Sequence, residues 1–212
     1  MFSVIFDMDG TLLDTQRICV PAWDYAGERQ GIIGMGEHIK NVSGMNKVGW
    51  TKYLKENCPT LDADKFNIEM RQYIIDNQVV RFKKGAEELI GFLIENKIKI
   101  ALASGSSRES VNHHLGELDA YHFFDVTLTG SDVKVGKPAP DIFLETAKCL
   151  GASPDDCFVF EDSPNGVKAA VAAGMKCIGV PDITEFSKEI KDTLFAEITS
   201  LDEAIHILKK YL

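Results

Sequence analysis

Hydrophobic positions along the chain fall into two alternating patterns. Phe2–Phe6, Lys99–Ala103, Phe124–Thr129, Cys157–Phe160 and Lys176–Val180 are short, nearly unbroken apolar runs, the last stopped by Pro181. Such runs suit strands covered on both faces, as in a parallel sheet. Helical patterns lie between them. Gly85–Asn96 carries Ala86, Leu89, Ile90 and Leu93 on one stripe, and Ser107–Leu118 reads as a second helix. Pro140–Leu150 places Ile142, Phe143, Ala147 and Leu150 together before Gly151; Pro164–Ala173 runs into Gly174, and Leu201–Leu212 closes the chain. Strand–helix alternation from residue 85 onward predicts an α/β fold, a doubly wound parallel sheet.

Residues 15–83 break that rhythm. Phe66, Met70, Tyr73 and Ile74 form a helical stripe, and Val48, Tyr53 and Leu54 suggest another helix, ended near Asn57 by Pro59. Pro21 should start or kink a helix, and Gly31, Gly34 and Gly36 mark a connection. The expected organisation is a helical subdomain, 15–83, inserted after the first strand. The α/β core is then discontinuous, 1–14 plus 84–212.

Composition narrows the classes. The 212 residues hold 23 Lys+Arg against 32 Asp+Glu, a formal net charge of −9, with 45% hydrophobic residues. A chain this acidic lacks the basic face that a nucleic-acid or anionic-membrane binder needs. Cys19, Cys58, Cys149, Cys157 and Cys177 form no CxxC pair, so free thiols in a reducing compartment are expected. Met1–Phe6 has no Lys or Arg, and no apolar run is long enough to span a membrane. A cytoplasmic monomer with no nucleic-acid or membrane partner is the expectation.

In doubly wound sheets, ligands bind beyond the carboxyl ends of the strands. Asp7 and Asp9 follow the first apolar run, Ser104 the second, and Glu161 and Asp162 the fourth; Lys137 lies after the third. Carboxylates crowd together cheaply only around a cation, and an all-oxygen set favours Mg²⁺ over zinc. A lysine and a hydroxyl beside Mg²⁺ make a phosphate site, where a carboxylate can act as nucleophile.

These residues fall in four ordered motifs: Asp7-Met8-Asp9-Gly10-Thr11, Ala103-Ser104-Gly105-Ser106, Gly136-Lys137-Pro138-Ala139-Pro140-Asp141 and Phe160-Glu161-Asp162-Ser163-Pro164-Asn165-Gly166. Together they resemble the haloacid dehalogenase-like superfamily, in its β-phosphoglucomutase-like branch. The resemblance covers essentially the whole chain and includes a Rossmann-like core with a small α-helical cap. It implies Asp7 as nucleophile and Asp9 as general acid/base, with an aspartyl-phosphate intermediate. It also implies Ser104, Gly105 and Lys137 as phosphate binders, and Asp7, Asp9, Glu161 and Asp162 around Mg²⁺, with Glu161 acting directly or through water. The cap loop that would close over the site is Lys40–Lys47, with Lys40, Asn41, Ser43, Asn46 and Lys47 as substrate contacts. Blander roles are expected for Asp14 and Thr15 (hinge and helix cap), for His113 and His114 (helix surface), and for Trp23 and Trp50 (packing of the cap).

The implied activity is Mg²⁺-dependent hydrolysis of a small phosphomonoester, such as a sugar phosphate. The alternative is a β-phosphoglucomutase-type isomerase. The mutases carry a cap histidine that would fall at Cys19 and a phosphate-gripping arginine near Gly44, so this sequence departs from them at both points. Asp9 and Asp162 disfavour a dehalogenase, and the intact set disfavours a silent binder.

Overall fold

The computed structural model of the protein describes residues 2–183 and 185–212. Strand β1 (Ser3–Phe6) is followed by helices α1 (Cys19–Glu28), α2 (Ile39–Val42), α3 (Lys47–Asn57) and α4 (Ala63–Asn77). The chain then alternates through α5 (Ala86–Glu95), β2 (Lys99–Ser104), α6 (Arg108–Glu117), β3 (Val126–Thr129), α7 (Asp141–Leu150), β4 (Cys157–Glu161), α8 (Pro164–Ala172), β5 (Lys176–Gly179), α9 (Lys188–Lys191), β6 (Ala196–Glu197) and α10 (Ala204–Leu208).

The six strands form one parallel sheet in the order β3-β2-β1-β4-β5-β6. The alternation of side chains along a strand divides the core in two. Val4 and Phe6 join Ile100, Leu102, Phe158 and Phe160 on one face, under α5, α6 and α10. Ile5 joins Ala101, Ala103, Val159 and Cys177 on the other, under α7, α8 and α9. Phe6 and Phe160 stack across neighbouring strands at 5.0 Å. Because β1 is central, Phe6 is in register with both Leu102 and Phe160, and the residues after β1, β2 and β4 emerge side by side. Serine side chains fix where two of these loops turn into helices. Ser107 caps α6 by accepting from Ser110 N–H, and Ser163 caps α8 by accepting from Gly166 N–H.

The helices between β1 and α5 have a hydrophobic cluster of their own, which includes Trp23, Ala26, Met35, Ile39, Leu54 and Phe66. The chain leaves and re-enters the core along two segments that bond to each other. Asp14 N–H donates to Arg81 O at 2.9 Å, and Lys83 N–H donates to Leu12 O at 2.8 Å.

Three expectations are corrected. A sixth strand, β6, lies at the sheet edge, pairing Ala196 with Ile178; at two residues it is too short to leave a periodic pattern. The closing helix is not continuous from Leu201 to Leu212. It is a short α-helix between two 3₁₀ turns, although Leu201, Ala204 and Leu208 still face the core. Thr15 caps no helix, since α1 starts at Cys19 without a side-chain cap; its hydroxyl is used elsewhere.

Helix α5 tests which face is buried. Leu89 is fully buried, whereas Ile94 is 49% exposed. Leu89→Ala should cost about 2–5 kcal/mol in urea unfolding and Ile94→Ala under about 1 kcal/mol. Similar costs at the two positions would contradict the placement of this helix.

Candidate active site

The carboxyl ends of β1, β2 and β4 bring Asp7, Ser104, Glu161 and Asp162 together. Lys137 enters from the loop after β3, next to a cis Lys137–Pro138 peptide bond. Its ammonium donates to Asp7 Oδ1 at 2.6 Å, to Glu161 Oε1 at 2.6 Å and to the Ala103 carbonyl at 3.2 Å. It also lies 4.7 Å from the centre of the Phe143 ring. The other Glu161 oxygen, Oε2, accepts from the Ser163 N–H and hydroxyl, so both of its oxygens are taken. Asp162 Oδ1 accepts from the Thr11 hydroxyl at 3.0 Å. Asp7 Oδ2 and Asp162 Oδ2 accept no hydrogen bond among the described residues.

Asp7, Glu161 and Asp162 are all buried, and one carboxylate oxygen from each lies within 4.8 Å of the others. One lysine does not neutralise three carboxylates. Burial pushes the Asp7 carboxyl up to about 8; Lys137 pulls it back, and Glu161 and Asp9 push it further up. Burial, followed by Glu161 and Asp7, likewise holds Asp162 well above the usual carboxylate range. For Lys137, burial favours the neutral amine, but Asp7 and Glu161 more than offset it and keep the ammonium protonated. With one ammonium among three carboxyls, the raised Asp7 and Asp162 would give up their protons most readily to a further positive charge, and the cluster offers open oxygens with no imidazole or thiol among the described residues. That donor set fits a hard divalent cation such as Mg²⁺.

Asp9 sits apart from this cluster and has a different environment. Oδ1 accepts from the Thr15 hydroxyl at 2.7 Å, and Oδ2 from the Ser106 hydroxyl at 2.7 Å, with Ser104 Oγ farther away at 3.4 Å. Gln16 Nε2 donates to the Asp9 carbonyl at 3.1 Å. His114 is a correction to the expected surface histidine: it is 7% exposed, with Nδ1 at 3.7 Å from Asp9 Oδ1 and Nε2 at 3.1 Å from Gln78 Oε1. Its companion His113 is exposed, as expected. Sequence reading missed Thr11, Thr15, Gln16, Ser106 and His114 as partners of the motif residues. For His114 there was a signal, because it lies beside Leu115 and three residues after Val111, both on the buried face of α6.

The loop expected to meet the core does so. A side chain on Gly105 would collide with the Gly44 carbonyl, and Asn165 Nδ2 donates to the Ser43 carbonyl at 2.9 Å. A cavity of about 600 Å³ lies between the helices of 15–83 and the strand ends. Asp7, Asp9, Gly105, Ser43 and Lys47 line it, whereas Ser104, Lys137, Glu161 and Asp162 lie outside its lining. Lys40 and Asn41 also do not line it. Lys40 is exposed, and the Asn41 amide donates to the Tyr53 hydroxyl at 2.9 Å. The Asn46 side chain caps α3 by accepting from Gly49 N–H, and it borders a smaller pocket beside Gly136 and Lys137. Trp23 and Trp50 both pack in the hydrophobic cluster of the helices between β1 and α5 and line the large cavity.

Comparison with known proteins agrees with this architecture. The haloacid dehalogenase-like hydrolase family matches residues 3–174. The chain is 29% identical over 216 residues to the phosphorylated carbohydrates phosphatase of Thermotoga maritima, with full coverage of both proteins. It is 35% identical over 188 residues to a probable pseudouridine-5'-phosphatase of Drosophila melanogaster, covering 84% of this chain and 80% of that one. Among solved structures, a hydrolase from Pseudomonas syringae superposes with a TM-score of 0.87 at 25% identity, over 99% of each chain. A putative β-phosphoglucomutase from Thermotoga maritima does so at 0.74 and 29%, over the whole of each. The chain belongs to the haloacid dehalogenase-like hydrolases. Within them it is an enzyme of the phosphatase class.

The buried ion cluster makes a direct prediction. Lys137→Met leaves Asp7 and Glu161 facing each other unpaired, and should cost about 3–5 kcal/mol in urea unfolding in EDTA. Mg²⁺ should restore part of that loss. A cost below about 1 kcal/mol would show that Lys137 is not the buried counter-ion.

Proposed function

We propose that the protein hydrolyses the phosphomonoester of a small phosphorylated carbohydrate, with Mg²⁺, through a phosphoaspartate on Asp7. The observation that carries this reading is the open Oδ2 of a buried carboxylate. Asp7 is fixed through Oδ1 by Lys137 and lines the cavity with Asp9 beside it.

In the proposed reaction, an Asp7 carboxylate oxygen attacks phosphorus and the ester P–O bond breaks. Asp9 gives its proton to the leaving alcohol oxygen. It then takes a proton from the water that attacks the phosphoaspartate, which releases phosphate and restores Asp7. Two hydroxyls, from Thr15 and Ser106, orient the Asp9 carboxyl for both transfers. The Gly105 N–H, which lines the cavity, would hold a phosphate oxygen, and Lys137 and Ser104 would join it by exchanging a present partner, the Ala103 carbonyl and Asp9 respectively. Asp162, through its open Oδ2, the Asp9 carbonyl and the Asp7 oxygen that does not attack would hold Mg²⁺. The ion supplies positive charge that lets a carboxylate approach an anionic phosphate. Glu161, with both oxygens occupied, aligns Lys137 and Ser163 instead and reaches the ion only through water.

Residues 15–83 form the proposed cap over a core of 1–14 and 84–212. The paired segments at Leu12–Asp14 and Arg81–Lys83 are its hinge. Closure over the cavity would exclude bulk water from all but the hydrolytic step.

Hydrolysis is favoured over phosphosugar isomerisation by two positions. Gly44 has φ +79°, and a side chain there would collide with Ser163 Oγ, so no arginine clamp for a second phosphate can occupy it. Burial, together with Asp9 and Asp162, pushes the Cys19 thiol up to about 12, so it stays neutral and replaces no histidine.

Turnover of a panel of phosphorylated metabolites should require Mg²⁺ and stop in EDTA, and Ca²⁺ should inhibit. Full activity in EDTA would refute the metal assignment. With the best substrate, Asp7→Asn should abolish turnover, whereas Asp9→Asn should slow it by about 10²–10⁴-fold. Near-native turnover in Asp7→Asn would exclude Asp7 as nucleophile. Conversion of β-glucose 1-phosphate to glucose 6-phosphate, primed by glucose 1,6-bisphosphate and without phosphate release, would favour the isomerase.

A further inference from the structure

One buried imidazole beside Asp9 has no part in the proposed reaction. His114 lies on the buried face of α6 with Val111 and Leu115, and α6 begins just beyond β2, the strand that ends in Ser104. Its ring is held at one edge and open at the other. Nε2 is 3.1 Å from the Gln78 side-chain oxygen, at the end of α4. An amide oxygen only accepts, so Nε2 carries the hydrogen in this contact. Nδ1 is buried and has no hydrogen bond among the described residues. It lies 3.7 Å from Asp9 Oδ1. Buried polar atoms without a partner are rare and costly in folded proteins, so one that persists beside a reacting carboxyl calls for a reason.

At 3.7 Å the pair is too far apart for a hydrogen bond, and with the ring hydrogen on Nε2 both atoms are acceptors. One hydrogen between them would join them, and Asp9 in its acid form supplies it. The other partners of the carboxyl are of a different kind. Thr15 and Ser106 meet it through hydroxyls, which rotate about their C–O bonds and can follow a turning carboxyl. The imidazole cannot follow, because α6 packs it and Gln78 ties its far edge.

We infer that His114 is a positioning residue for the general acid and base: Gln78 sets the ring through Nε2, and Nδ1 sets the Asp9 carboxyl through Oδ1. The inference rests on Asp9 carrying the protons in the proposed reaction. It adds no contact to the substrate, so its signature is a loss of rate without a loss of binding. Misplacing a reacting group by about 1 Å can cost about 10²-fold in rate.

The test reads kcat and KM with Mg²⁺ and the best substrate of the metabolite panel. His114→Phe keeps a flat ring and removes both nitrogens. It should lower kcat by about 10- to 100-fold while KM changes by less than about threefold. His114→Asn puts an amide where Nδ1 stood, whereas the amide of His114→Gln reaches the place of Nε2. The Asn variant should therefore be the faster of the two, and faster than His114→Phe. In Asp9→Asn, His114→Phe should change kcat by less than about twofold, because the group it positions is gone. Gln78→Leu, which unties the ring without altering it, should also lower kcat, and should add little to His114→Phe.

An equal loss in the wild-type and Asp9→Asn backgrounds would mark His114 as merely structural and overturn the inference. So would a rise in KM with kcat unchanged, or equal rates for the Asn and Gln variants. With Asp9→Asn itself slow, each of these leaves the phosphatase reading intact. Near-native turnover in Asp9→Asn would overturn the acid–base role of Asp9 and this inference with it. If His114→Phe fails to show cooperative unfolding in urea, His114→Asn, His114→Gln and Gln78→Leu, each with and without Asp9→Asn, decide the question by the same criteria.

Discussion

Three carboxylates buried within 4.8 Å of one another, with one lysine among them, are the constraint on which the rest of the structure depends. Burial, and after it the repulsion between neighbouring carboxylates, raises the Asp7 and Asp162 carboxyls. A protein gains nothing in stability from such a cluster, since well-packed apolar side chains in the same space would be neutral or better. Its retention makes sense as a receptor for positive charge. In the proposed reaction the residues that would hold the cation also face the phosphate, so binding and chemistry would draw on one electrostatic imbalance.

The sheet topology makes the cluster possible. Asp7 and the pair Glu161–Asp162 are some 150 residues apart in sequence, yet β1 and β4 are neighbours in register. Rigid strands below and capped helices above fix the loops between them. Ser163 serves both ends of this arrangement, capping α8 and holding Glu161. Asp9 is set apart by its hydroxyl partners, which gives two carboxylates of one short motif different environments, as the different roles proposed for them require.

Much of this was legible in the sequence because the determinants are local. Apolar runs located β1 to β5, and the residues just beyond them supplied the carboxylates, the hydroxyl and the lysine. The rest depended on tertiary contacts. β6 is a two-residue edge pairing with no periodicity to detect. Thr15 looked like a cap residue, but its hydroxyl points back to Asp9 across a turn of six residues. His114 looked exposed beside His113, but it faces inward with Leu115. In the loop Lys40–Lys47, side-chain polarity alone could not show that Asn41 bonds to Tyr53 or that Asn46 turns to cap a helix. Nor could it show that tryptophans assigned to packing also border the cavity.

The claim that most directly follows from this geometry is that phosphate passes through the Asp7 carboxylate. Rapid acid quench during turnover, followed by borohydride reduction and peptide mass spectrometry, reads that step at residue level. The account predicts a protein adduct of one phosphoryl group that is labile to hydroxylamine, with reduction mapping to Asp7. A turnover-competent enzyme with no covalent adduct, or with the label on another residue, would contradict it.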